Sequence, residues 1–180
     1  MSRIAVDTAA VAIADVEGEL HRFPEATDFP LIHYRAVLAA EGEAAAAAYE
    51  RIFAGNGWAG SWRNGIYHYH HFHATTHEVL GIAAGQAFVR FGGEDGPLVE
   101  VHAGDVVVIP AGVSHCNEGA SQDLLVVGAY PDGSRPDLNK GTPGENEKAR
   151  AKLGRVAVPG ADPVYGQAGP LLRHWVAKGG

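Results

Sequence analysis

Cysteine is almost missing from this chain. Of 180 residues only Cys116 is a cysteine, so no internal disulfide can form and the fold does not depend on an oxidising compartment. Long apolar runs are missing as well. No stretch approaches the roughly 18 residues that a membrane-spanning helix needs, so no membrane partner is expected. Positive charge is scarce: 14 Lys and Arg stand against 21 Asp and Glu, a net charge of −7. No basic stripe is available to neutralise phosphates, which argues against nucleic acid as a partner. The acidity itself reads as a solvated surface. Arg3 and a few apolar residues open the chain, but Asp7 and Asp15 interrupt them. That is a poor secretory signal, and the cytoplasm is the expected location.

What is present fits one domain with a single core, and 46% of the residues are hydrophobic. There is no long linker and no tandem repeat. An alanine run at 44–48 is good helix material. Around it Ala45, Ala48, Tyr49, Ile52 and Phe53 recur at helical spacing. A helix is expected over about Glu41–Ala54, ended by Gly55 and Asn56-Gly57. The next stretch, 57–65, holds two tryptophans among three glycines and reads as a loop pinned to the core by Trp58 and Trp62. A role as ligand platform is secondary.

From residue 66 to 129 the pattern changes to short strands. They are expected over Ile66–Phe72, Glu78–Ala84, Gln86–Phe91, Val99–His102, Val106–Ile109 and Leu124–Tyr130. Hairpin turns are expected at Gly92-Gly93 and Gly104-Asp105. Turn signals every eight to twelve residues suggest an antiparallel sandwich or barrel. Tyr67, Tyr69, Phe72, Phe88 and Phe91 are most simply barrel core. In the tail, Thr142-Pro143-Gly144-Glu145 reads as a capping box that opens a short helix ending at Leu153. The expected organisation is a barrel core at about 60–130, a helical N-terminal extension at about 25–57, and a tail at about 131–180 that wraps back.

Five of the ten histidines fall within ten residues, at 68, 70, 71, 73 and 77. Glu78 follows at once, and His115 comes some forty residues later. Side chains two apart on a strand share a face, so His71 and His73 can aim into one space while His68 and His70 face outward. A carboxylate from the next strand and a distant histidine would complete a mononuclear metal site. Neutral imidazole suits Fe, Mn, Ni, Cu or Zn. His77 and Glu78 are adjacent and point oppositely, so either could be the third ligand. Glu78 shares its face with Leu80 and Ile82, the bulkier side, which turns Glu78 inward. His77 then orients a ligand or moves protons as a candidate catalytic group, or it is a surface residue. Cys116 has no paired base and reads as a small buried residue.

Two longer patterns enclose these residues. Gly65-x5-His71-x-His73-x4-Glu78-x6-Gly85 resembles the first cupin motif, and Gly104-x5-Pro110-x-Gly112-x2-His115 resembles the second. The second departs at its end, where Gly119 stands in place of the usual asparagine and Asn117 lies two residues earlier. Within the cupins the whole chain is similar to the bacterial YjlB-like group. The carrying segments include Tyr49-Glu-Arg-Ile-Phe53, Ser61-Trp-Arg-Asn-Gly65, His77-Glu-Val-Leu-Gly81, Val127-Gly-Ala-Tyr-Pro-Asp-Gly133 and Asp162-Pro-Val-Tyr-Gly166. The resemblance implies a mainly β fold, a double-stranded β-helix (jelly-roll) barrel with an N-terminal helix and a short C-terminal helix. It implies His71, His73, Glu78 and His115 as ligands of one divalent transition metal, and a homodimer.

The function expected from this is metal-dependent chemistry of oxidoreductase or isomerase type, as in a dioxygenase, isomerase or decarboxylase, on a small polar metabolite. The alternative is a small-molecule binding or sensing module whose metal is not catalytic. Access separates the two, because an enzyme needs an open metal position beside a pocket. A metal-free epimerase of similar fold has no need of the full ligand set.

Overall fold

The computed structural model describes residues 11–176, so Arg3 and Asp7 of the secretory-signal argument lie outside them. Among these residues the strands form two antiparallel sheets. The larger contains β1 (Gly18–His21), β2 (Leu31–Tyr34), β3 (Trp58–Asn64), β4 (Glu78–Ala84), β7 (Val106–Ile109) and β9 (Leu125–Pro131), in the order β1-β2-β7-β4-β9-β3. The smaller is β6 (Leu98–His102), β5 (Gln86–Phe91) and β8 (His115–Ala120), in the order β6-β5-β8. The sheets face each other across an apolar interior. Leu80, Ile82, Val107 and Val126 from the large sheet meet Ala87, Val89, Phe91 and Val101 from the small one. Each such buried aliphatic side chain contributes about 1.5–3 kcal/mol.

The outer face of the large sheet is buried too. Helix α1 (Gly42–Gly55) lays Ala45, Ala48, Tyr49 and Phe53 against Val79, Ala83, Val127 and Ala129. This is the stripe that the spacing predicts, with Ala46 added and Ile52 only partly buried at its edge. Strand β4 is therefore buried on both sides, and Glu78 falls on the interior face as its Leu80 and Ile82 phase implies. Helix α2 (Pro143–Leu153) carries the full capping box between Thr142 and Glu145. The tail wraps back over the outer face. Trp175 Nε1–H donates to Pro30 O at 2.8 Å, Trp58 Nε1–H donates to Ala161 O at 2.9 Å, and the Tyr34 hydroxyl bonds the Asp162 carboxylate.

Several expectations fail for physical reasons. Residues 25–57 are not a helical extension, because β2 pairs with β7 inside the large sheet and only α1 is helical. Strands β1 and β2 are four residues each, too short for an alternation to show. The 57–65 segment is strand β3, bulged between Ala59 and Trp62, rather than a loop. Residues 66–70 form no strand, and only His71 and Phe72 make isolated bridges. They run along a cavity mouth, which leaves Tyr67 and Tyr69 exposed, and Phe88 is exposed on the outer face of the small sheet. Of the five aromatics expected in the core, Phe91 is the one fully buried. Gly104-Asp105 closes no hairpin, since it carries the chain from β6 in one sheet to β7 in the other. Beyond His115 there is no turn. Strand β8 continues to Ala120 through an irregularity at which the Asn117 side chain accepts the Gly119 N–H at 2.9 Å.

Candidate metal centre

The two histidine segments are stitched together through their backbones. His71 and His115 exchange both main-chain hydrogen bonds, at 3.2 and 2.9 Å. The Gly112 N–H donates to His73 O at 2.8 Å. Gly112 holds φ at +93°, a region that side-chain-bearing residues rarely adopt. This turn, closed by Pro110, therefore sets where His115 enters β8. Glu78 opens β4 opposite Ile109, the last residue before that turn. The four residues thus meet at one end of the interior.

Ring nitrogens of His71, His73 and His115 lie within 4.8 Å of one another. Glu78 Oε2 sits 3.3 Å from His73 Nε2 and 3.4 Å from His115 Nε2. Each Nδ1 meets a main-chain carbonyl: His71 meets Tyr69 O at 3.1 Å, His115 meets Val113 O at 3.3 Å, and His73 meets Asp137 O. A carbonyl can only accept, so each Nδ1 carries the proton and each Nε2 keeps its lone pair. Three lone pairs and a carboxylate are thereby directed at a common centre. Metal-bound imidazoles are commonly held by such backbone contacts.

The electrostatics point the same way. Glu78 Oε2 is buried and has no properly directed hydrogen bond, despite two nitrogens near it. A buried anionic oxygen without a partner is costly, and a cation bound between it and the lone pairs would relieve this. Its spacings are close to the roughly 3 Å between neighbouring ligands that each lie 2.0–2.2 Å from one ion. Burial works against the Glu78 charge; without a metal, a proton taken up on the facing nitrogens of His115 and His73 outweighs it and holds the carboxyl well below the usual range. Burial, with His115 beside it, lowers His71 to about 4. Burial also opposes charge on His73, yet Glu78 and the Asp137 carbonyl raise its pKa above the usual histidine value. His73 is therefore the ring at which a proton competes with a metal.

His77 is not part of this constellation. It is buried on the other side of the chain, 4.6 Å from the Trp175 ring. Its Nδ1 accepts the Ala111 N–H at 2.9 Å, and its Nε2 contacts Ala157 O at 3.2 Å. Both nitrogens are committed to backbone, and the ring clamps the tail to the motif turn. His68 lies at the cavity wall, with Nδ1 3.0 Å from Asn117 O. His70 stays outside the cavity lining.

A cavity of about 810 Å³ reaches the four side chains and is walled by Trp62, Tyr67, Tyr69, Leu80, Tyr130 and Leu138. Three of its supports escape a reading of the sequence. Asp137 takes the Ala74 N–H at 2.7 Å and Lys152 Nζ at 3.0 Å, and so fixes the carbonyl that holds His73. Tyr130 accepts the Trp62 Nε1–H at 2.8 Å. Trp62 in turn lies over Gly128, where a Cβ would meet its ring at 2.2 Å. The glycine is needed for that close approach. The Ser61–Gly65 and Val127–Gly133 segments are the sequence signals that touch this group.

The chain matches no family model. It is 43% identical over 155 residues to the uncharacterized protein YjlB of Bacillus subtilis (strain 168), across 86% of this chain and 91% of that one. Among solved structures it is similar to acireductone dioxygenase from Bacillus anthracis with a cadmium ion in its active centre, at 20% identity and TM-score 0.36. That match covers 51% of this chain and 62% of the other. It is also similar to oxalate decarboxylase of Bacillus subtilis, at 18% identity and TM-score 0.37, over 75% of this chain and 35% of that one. The chain spans less than two thirds of either solved structure.

Proposed function

Because this chain belongs to the YjlB-like group of cupins, we propose that His71, His73, Glu78 and His115 hold one divalent transition metal, and that the protein is a metal-dependent enzyme acting on a small polar metabolite. The observation that carries the proposal is the buried, unpartnered Glu78 Oε2 facing imidazole nitrogens whose tautomers the backbone has set. When bound, the metal would supply a Lewis acid that polarises a substrate oxygen. Dioxygenase, isomerase and decarboxylase classes all use such a centre. Zn, Mn, Fe, Ni and Cu are all compatible with the donor set.

The chain's own residues supply the rest. Burial, reinforced by Glu78, keeps the Tyr130 hydroxyl protonated. Its oxygen accepts from Trp62 and its proton faces the Glu78 carboxylate, which sets the hydroxyl beside the proposed metal, where it can turn to a substrate oxygen. Tyr130 is thus a hydrogen-bond donor or general acid, and a poor base. Tyr67 and Tyr69 stack with ring centroids 4.9 Å apart, and Lys140 Nζ stands 4.7 Å from the Tyr69 ring centre. An aromatic rim with a cation beside it suits a carbonyl- or carboxylate-bearing compound. Pairing of two copies belongs to the same proposal, and the exposed Phe88 and Leu98 on the outer face of the small sheet are the apolar surface it would cover.

The alternative, a binding or sensing module with a closed metal site, is disfavoured by the cavity that opens onto all four proposed ligands. Water access tests the choice. Mn2+-loaded protein is expected to enhance the relaxation of bulk water protons, and a small keto acid or carboxylate is expected to titrate that enhancement away. Tight Mn2+ binding with no enhancement would move the metal to a structural role.

A further inference from the structure

The far edge of the large sheet carries a second convergent donor set, unrelated to the first. Glu19 pairs directly across from His33 in the β1–β2 ladder, and His21 pairs with Leu31. Glu19, His21 and His33 therefore share one face of the two strands. One ring nitrogen of each histidine and one Glu19 carboxylate oxygen lie within 4.8 Å of one another. Two observations set this apart from a chance cluster. His33 is wholly buried, yet its Nδ1 has no hydrogen-bond partner; neither has the buried Nε2 of His21. Two unpartnered imidazole nitrogens on one face of a two-stranded ladder are an unusual expense in desolvation.

The tautomer of His33 explains what Nδ1 is for. Asp105 Oδ2 lies 2.9 Å from His33 Nε2. The same carboxylate also takes the Ala36 and His102 N–H groups, at 2.9 and 3.1 Å. Burial works against the Asp105 charge, but these contacts hold it ionised. The anion fixes the proton on Nε2 and leaves Nδ1 as a lone pair. A carboxylate behind a histidine, with the opposite nitrogen free, is the arrangement that orients and strengthens a metal-bound imidazole. Burial also keeps His21 neutral, with His33 adding to the effect. The remaining donor, Glu19, is exposed and holds Arg35 Nε at 2.6 Å through Oε1, which leaves Oε2 available.

We propose that Glu19, His21 and His33 form a second binding site for a divalent transition metal of the Zn2+ type, at the β1–β2 edge of the large sheet. Two nitrogens and one carboxylate oxygen make a three-ligand tetrahedral set with one position left for water. The donors lie no more than 4.8 Å apart, and a bound ion would draw the partly exposed Glu19 and His21 side chains in to the roughly 3.3 Å edge of such a tetrahedron. The site lies on β1 and β2 and Glu78 on β4, with β7 between them, so His21 and Glu78 are three strands apart. At about 4.8 Å per strand, the two centres are roughly 14 Å apart and do not share ligands.

The test removes the first centre and titrates the second. The full chain carrying His71→Ala and His73→Ala is stripped with chelator and titrated with Zn2+ against a chromogenic competitor. One equivalent of Zn2+ is expected to bind. Adding His21→Ala is expected to weaken it at least tenfold, and adding Glu19→Gln is expected to weaken it measurably. Both residues are partly exposed on an edge strand, so a circular-dichroism melt should stay unchanged. Absence of the equivalent, or an equivalent indifferent to His21→Ala, overturns the proposal. Should the double variant not fold, the imidazole nitrogen spectrum of the unaltered chain gives the answer. A second equivalent of Zn2+ is expected to move the His21 and His33 resonances, and resonances that stay in place overturn it.

Discussion

The clearest consequence of the geometry concerns His77, the histidine beside the proposed ligands. Burial holds its ring near pKa 4 in the folded chain, against an ordinary 6.5. The folded protein thus keeps His77 neutral, while the unfolded chain takes up a proton as pH falls below about 6.5. Its contribution to stability is complete above pH 6.5 and is lost as pH drops towards 4. The gap of about 2.5 pH units, at about 1.4 kcal/mol per unit, makes that loss about 3 kcal/mol. His77→Asn isolates it. Asparagine can still accept the Ala111 N–H, but it loses the Ala157 contact and the packing on Trp175 and Phe29. That costs about 2–3 kcal/mol at pH 7. The assay is urea unfolding followed by tryptophan fluorescence at pH 7, 5.5 and 4, with chelator present so that no metal contributes. The wild-type advantage over the variant is expected to shrink by about 3 kcal/mol between pH 7 and 4, close to its full value. His71, also near pKa 4, titrates in both proteins and cancels. An advantage that stays constant, or a His77 ring that titrates near 6.5 by NMR, would refute the clamp and return His77 to the candidate proton carriers.

Three further outcomes are expected. Glu78→Gln keeps the shape of the side chain and removes its charge, and should weaken metal binding by roughly 100-fold or more in chelator competition. Metal retention in dialysis should fall as pH drops, with His73, whose pKa is raised, the first ring to compete for a proton, while His71 offers little proton competition above about 4. Gly128→Ala would press a methyl group into the Trp62 ring. It should destabilise the fold by about 1–3 kcal/mol in thermal melts and perturb the wall of the cavity.

The sequence carries much of the barrel because its strands obey simple periodicities. β4, β5 and β7 alternate or run β-branched between clear turns, and the capping box of α2 is spelled out in four residues. The hidden parts have no such local signal. β1 reads Gly-Glu-Leu-His and β8 reads His-Cys-Asn-Glu-Gly-Ala, and neither has strand propensity. Pairing with β2 and β5 makes them strands. The four proposed ligands are legible from spacing, and Glu78 from the phase of Leu80 and Ile82. Asp137 and Tyr130 are not, because their roles exist only once the tail folds against the His73 backbone and Trp62 crosses Gly128. His77 misleads for a related reason. Adjacency in sequence suggests a shared site, while the pleat of the chain turns it to the opposite side.

The most direct test of the central proposal is elemental analysis of the purified, untagged protein beside His71→Ala and His115→Ala. Near-stoichiometric Fe, Mn, Ni, Cu or Zn in the wild type, lost from both variants, is the result the account predicts, with any fraction held by Glu19, His21 and His33 remaining in all three. A wild type that holds no metal at this centre after reconstitution with each candidate, or variants that keep the full wild-type content, would contradict it.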